Sequence, residues 1–83
     1  MNLNELTDLL RSYNVPDRWY SLNSDKLNSC IVYKKGGIWE YYHLDEKGNK
    51  TEYKVFGNNE DAYDHLWLKL KRQFDLFDMK KAD

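Results

Sequence analysis

Eighty-three residues suffice for one domain with a small core, and the chain reads as a single unit from 1 to 83. A formal net charge of -1 offers no bulk attraction for nucleic acid or an anionic membrane, and a lone cysteine, Cys30, excludes an internal disulfide. With no run of about 18 apolar residues and no basic segment leading into an apolar one, the composition points away from a membrane span or a secretory leader and toward a reducing cytoplasm.

The first predicted element is a helix. Leu3, Leu6, Leu9, Leu10 and Tyr13 recur at the three-and-four spacing of one helical stripe, with Glu5, Asp8 and Ser12 opposite. Asn2 is its expected N-cap, and Pro16 steers Val15 out of helical geometry, so the helix should stop near Asn14. The next segment, Asp17 to Asn28, reads as a short strand or an extended lid around Arg18-Trp-Tyr-Ser-Leu22, then a polar loop.

Gly36-Gly37 lies between two runs rich in β-branched and aromatic residues, and a tight hairpin turn needs the positive φ that glycine tolerates. It joins a strand from Ser29 to Lys35 to a strand from Ile38 to Leu44. A second turn around Gly48-Asn49 leads to a third strand from Thr51 to Phe56. Alternation assigns faces: Trp39, Tyr41 and His43 inward and Ile38, Glu40, Tyr42 and Leu44 outward because Glu40 resists burial, and Tyr53 and Val55 inward against Glu52 and Lys54 outward; in the first strand Ile31 and Tyr33 compete with Cys30 and Val32, and the first pair is preferred as the inward one.

A long helix follows, capped by Asn58 or Asn59, with Glu60, Asp61 and Asp64 near its positive start and Lys80 and Lys81 at its end. Its stripe of Ala62, Tyr63, Leu66, Trp67, Leu70, Phe74 and Phe77 should cover the sheet, leaving Leu68 and Leu76 outside and a frayed tail from Asp78 to Asp83. The expected architecture is α+β, a three-stranded and possibly four-stranded antiparallel meander flanked by an N-terminal and a long C-terminal helix.

Chemistry is sparse in this pattern. His43 and His65 belong to different elements, and no cysteine or acidic cluster of metal-ligand spacing accompanies them, so no metal, cofactor or catalysis is expected. Cys30, inside a strand, reads as a small buried hydrophobe. The order helix, three strands, helix matches the double-stranded-RNA-binding domain, whose second helix starts with a basic cluster. Here that start reads Asn58-Asn-Glu-Asp-Ala-Tyr-Asp64 and would repel phosphate.

Aromatic residues make up 16% of the chain, and Tyr and Trp among charges are enriched at protein interfaces. The run Val15-Pro-Asp-Arg-Trp-Tyr-Ser-Leu22, the strand Ile38-Trp-Glu-Tyr-Tyr42, the turn Glu46-Lys-Gly48 and the helix entry Phe56-Gly-Asn-Asn-Glu-Asp-Ala62 together resemble small immunity proteins encoded beside polymorphic or contact-dependent inhibition toxins in bacteria. The resemblance implies a non-enzymatic cytoplasmic protein that binds and neutralises one cognate toxin domain, of nuclease type. With the helix-covered face consumed by the core, the expected toxin-binding residues are Glu40, Tyr42, Glu52 and Lys54 on the open face of the meander, Asp45, Glu46 and Lys47 in the adjoining turn, and Asp17 and Arg18 in the extended segment. A double-stranded-RNA-binding-like module and a small structural adaptor are the alternatives; the oligomeric state is not set by the sequence.

Overall fold

Asn2 starts the first helix, α1 (Leu3–Ser12), by accepting the Glu5 N–H at 2.8 Å while the Glu5 carboxylate accepts the Asn2 N–H at 3.0 Å, a reciprocal capping box. The helix closes at Ser12, and Asn14 turns the chain with a φ of 53° so that Val15, held extended by Pro16, folds back into the core. This is a computed structural model, and it describes residues 1–73; Phe74, Leu76, Phe77, Lys80, Lys81 and the expected tail lie outside the described residues.

One turn of 3-10 helix over Asp17–Trp19 leads into strand β1 (Tyr20–Leu22), followed by β2 (Ser29–Lys35), β3 (Ile38–Leu44), β4 (Lys50–Phe56) and helix α2 (Asn59–Gln73). The four strands form one sheet in the order β1-β2-β3-β4. The predicted meander is its antiparallel part, with Gly36 at a φ of 61° in the first turn; the fourth strand is β1, which pairs parallel to β2. The segment read as strand or lid is thus a short edge strand. It is fixed by the bond from Asn23 N–H to Val32 O at 2.8 Å and by the bond from Lys34 N–H to the Asn23 side chain at 2.8 Å.

Both helices lie on one side, α2 across β2, β3 and β4, and α1 against α2. The expected stripe of α2 is buried as far as it is described: Ala62, Tyr63, Leu66, Trp67 and Leu70 meet Leu6 and Leu10 of α1 and Tyr41 of β3, while Leu68 stays exposed. Of the α1 stripe, Leu6 and Leu10 are buried, Leu9 and Tyr13 pack half-buried against the same core with the Tyr13 ring 5.4 Å from that of Trp67, and Leu3 is exposed.

Two strand faces differ from expectation. In β2 it is Cys30 and Val32 that join the helix-side core, while Ile31 is buried on the opposite face with Tyr42 and Leu44, and Tyr33 is exposed there. The registers explain it: Val32 sits opposite the core residue Tyr41, and Ile31 opposite Tyr42. In β4 Tyr53 and Val55 are turned away from the helices, 52% and 45% exposed, while Phe56 packs against the helix-side core, Glu52 bonds Lys69 of α2 at 3.0 Å and Lys54 reaches over the Phe56 ring.

A β-bulge causes the second difference. His43 pairs with Thr51 but Tyr41 with Lys54, so a step of two residues in β3 is matched by a step of three in β4. The extra residue is at Glu52, which takes a φ of 56°. Continuing the pairing of Leu44 with Lys50 without it would set Tyr53 opposite Tyr41 and Val55 opposite Trp39, on the helix side as the alternation predicts. One inserted residue reverses every side chain beyond it.

Candidate functional site on the open sheet face

The face away from the helices carries three kinds of residue. Ile31, Tyr42 and Leu44 form a small buried cluster at one end. Tyr33, Ile38, Tyr53 and Val55 expose apolar surface beside it. Charged Lys35, Glu40 and Lys50 stand among them. The Asn23–Asn28 loop reaches this face, since the Tyr42 hydroxyl donates to the Asp25 carboxylate at 2.5 Å. The loop is anchored in turn by Lys26, whose ammonium donates to the Asp17 carbonyl at 2.7 Å, and by a 2.7 Å contact between the Ser21 and Ser24 hydroxyls.

The tyrosines and acids of the face are interlocked. The rings of Tyr42 and Tyr53 are nearly parallel with centroids 6.4 Å apart, and the Tyr53 hydroxyl donates to Glu40. The Lys50 ammonium lies 4.5 Å over the Tyr42 ring, a cation–π distance. Together Asp25, Tyr33, Lys35, Glu40, Tyr42 and Lys50 line a shallow pocket of about 310 Å³. Burial of Tyr42 raises the pKa of its hydroxyl, and its bond to Asp25 raises it further, so it stays a neutral donor.

The expected binding residues divide among three places. Glu40 and Tyr42 do lie on the open face, but Tyr42 is only 2% exposed and acts as the floor of the pocket rather than a projecting anchor. Glu52 and Lys54, expected beside them, lie on the opposite face at the margin of α2, because the bulge reverses them. Asp45, Glu46 and Lys47 form the β3–β4 turn at the end of the sheet where β2 begins. There Asp45 is occupied by its own loop: its carboxylate accepts the N–H of Asn49 at 2.8 Å and of Lys47 at 2.9 Å. The Asn49 contact, then the Lys47 one, hold its pKa below the usual carboxylate range. Glu46 and Lys47 are exposed. Asp17 and Arg18 sit beyond β1, at the edge opposite β4, with Arg18 beside Trp19, Leu27 and Asn28 in a second shallow pocket of about 370 Å³.

Sequence reasoning placed Ile38 on this face correctly but missed Tyr33, Tyr53, Val55, Lys35, Lys50 and Asp25. Nothing in Glu52 signals a left-handed backbone, so the reversal of β4 had no local signature. On the helix side, Cys30 is fully buried and its thiol pKa is raised by burial, as suits a core residue. His65 packs edge-on against Tyr41 at 4.6 Å. Among the described residues no group of three His, Cys, Asp or Glu side chains is placed to hold a metal, and no helix is long and apolar enough to cross a membrane.

No protein family, curated protein or solved structure matches this chain.

Proposed function

We propose that this chain is an immunity protein that binds a cognate toxin domain, of nuclease type, through the open face of its sheet and blocks it in the cytoplasm without a reaction of its own. The observation that carries the reading is the bulge at Glu52. It puts a non-glycine residue in the left-handed region, a strained choice, and its effect is to turn Tyr53 and Val55 out of the core and onto a face with no covering helix among the described residues. Apolar and aromatic side chains displayed among charges are what an inhibitory interface needs, since a few such anchors carry most of the binding energy. Glu40 and Asp25 add carboxylates that meet the basic cleft of a nuclease and speed encounter. The immunity-protein likeness of the Val15–Leu22, Ile38–Tyr42 and Phe56–Ala62 runs supplies the class of partner.

A double-stranded-RNA-binding-like module is the second reading, favoured by two helices on one face of a meander. Glu60 and Asp61 in the first turn of α2 count against it, because they oppose phosphate where that module needs cations. Co-expression with the cognate toxin domain tests the first reading: Tyr53→Ala and Val55→Arg each weaken toxin binding by at least about 1 to 2 kcal/mol and reduce protection, while melting is little changed. Wild-type protection by both variants refutes it. Double-stranded RNA binding that falls steeply with salt would favour the second reading instead.

A further inference from the structure

The pocket on the open face already holds a cation, and it is the chain's own. Lys50 is the first residue of β4, and although the residue is exposed its ammonium rests 4.5 Å from the centroid of the Tyr42 ring. The ring is held at its hydroxyl by the Asp25 bond and accompanied by nearly parallel Tyr53, itself tied to Glu40. Each carboxylate is engaged by a tyrosine hydroxyl through one oxygen, which leaves its other oxygen to accept from a ligand. Aromatic faces backed by carboxylates make a receptor for a cationic side chain.

We propose that this pocket is the receptor for an arginine side chain presented by the protein partner, and that Lys50 is an internal placeholder which the arginine displaces. The proposal rests on the reading of this face as a docking surface. Arginine suits the site better than lysine: its guanidinium is planar, weakly hydrated, stacks on tyrosine faces and offers a fork of donors to carboxylates set apart from one another. The exchange is also neutral in charge. Lys35 and Lys50 balance Asp25 and Glu40 in the free chain, and one arginine replacing the Lys50 ammonium keeps that balance while Lys50, exposed on a flexible stem, swings into water. A pocket filled from within is thus shielded until a partner with the right cation arrives.

The test uses the whole chain, labelled with nitrogen-15, titrated with N-acetyl-arginine methylamide at constant ionic strength, with the citrulline analogue as its neutral isostere. Expected are saturable shifts at the amides of Glu40, Tyr42, Lys50 and Tyr53 with arginine and none with citrulline. Lys50→Met should tighten arginine binding about two- to fivefold, the worth of one exposed cation–π contact. Glu40→Gln, which still accepts from Tyr53, should weaken it. Lys35→Met removes the same charge without uncovering the ring, so an equal gain in both lysine variants overturns the placeholder. Absence of saturable shifts in the wild type and in Lys50→Met, or an equal response to citrulline, overturns the receptor. Because the titration needs no toxin, its outcome is separate from that of co-expression: partner capture lost through Tyr53 and Val55 variants but no arginine response would sink this proposal alone.

Discussion

Tyr41 and Tyr42 are neighbours in β3, both hidden from solvent, and they point to opposite faces of the sheet for opposite reasons. Tyr41 lies under the helices, fully buried among Cys30, Val32 and Leu66, with its hydroxyl beside the Cys30 thiol and no nitrogen or oxygen partner among the described residues. Tyr42 is hidden by a polar loop and a lysine, its hydroxyl on Asp25 and Lys50 over its ring. One face is closed by an apolar layer that folding cannot do without. The other is closed by contacts that a partner can replace, and it is where exposed tyrosines and aliphatics collect.

The widest gap between the faces is in stability. Leu66→Ala, which empties a fully buried site between α2 and the sheet, should cost about 2 to 5 kcal/mol, a large part of what holds so small a domain together. Val55→Ala on the open face should stay within about 0.5 kcal/mol. Urea unfolding of the two variants checks the pair, and similar midpoints would erase the distinction between the faces.

The two hydroxyls sharpen it. Tyr42→Phe removes the bond to a carboxylate and should cost about 0.5 to 1.5 kcal/mol, while Tyr41→Phe removes a buried hydroxyl with only a thiol beside it and should be neutral or slightly stabilising. Thermal melts that rank the two the other way would show that the loop contact at Asp25 contributes nothing to folding.

Most of the helix side was legible because helical periodicity is robust: Leu6, Leu10, Ala62, Leu66 and Leu70 fall where spacing alone puts them, and Asn2 caps where its side chain predicts. The meander and its turns were legible from Gly36-Gly37 and Gly48-Asn49. Strand faces were less so, since period-two alternation survives only while pairing is unbroken. In β2, four successive buried residues from Ser29 to Val32 erase the alternation altogether. In β4 the alternation is intact but belongs to the other face, because a bulge is a property of two strands together and leaves no mark in either. Glu40 and Tyr42 were therefore placed on the open face correctly, Glu52 and Lys54 were not, and the arrangement around Asp25 needed a loop contact across 17 positions.

The bulge can be weighed directly. Glu52→Ala loses the ion pair to Lys69 and keeps a side chain in the left-handed region, whereas Glu52→Gly loses the same ion pair and relieves the backbone. Glycine should therefore be the more stable of the two by about 0.5 to 1 kcal/mol. The ion pair, still open to solvent with side-chain exposures of 24% and 44%, is worth about 1 kcal/mol or less, so neither variant should unfold the domain. Alanine as stable as glycine would mean that the residue is not held at positive φ and that the register of β4 is free to slip.

The smallest effect expected is a dependence on pH, and it too follows from the bulge. His65 on α2 is packed against Tyr41 and Phe56, and its pKa is lowered from 6.5, first by burial, then by the positive charges of Lys54 and Lys69, with Glu52 opposing them. Lys54 and Glu52 stand near this imidazole only because the extra residue in β4 turns them to the helix side. With the folded pKa below the unfolded one, the unfolded chain binds more protons in the interval between them, so stability is whole above pH about 6.5 and falls as the pH drops through that interval. Asp45 acts in a separate window: its folded pKa lies below 3.8, so its contribution is lost only in stronger acid. Melting temperature measured from pH about 7 to about 5 should decline in the wild type, decline less in Lys54→Met, and be flattest in His65→Asn. An undiminished decline in His65→Asn would assign the acid sensitivity elsewhere, and an unchanged decline in Lys54→Met would show that the charge which the bulge brings to the helix side does not reach the histidine.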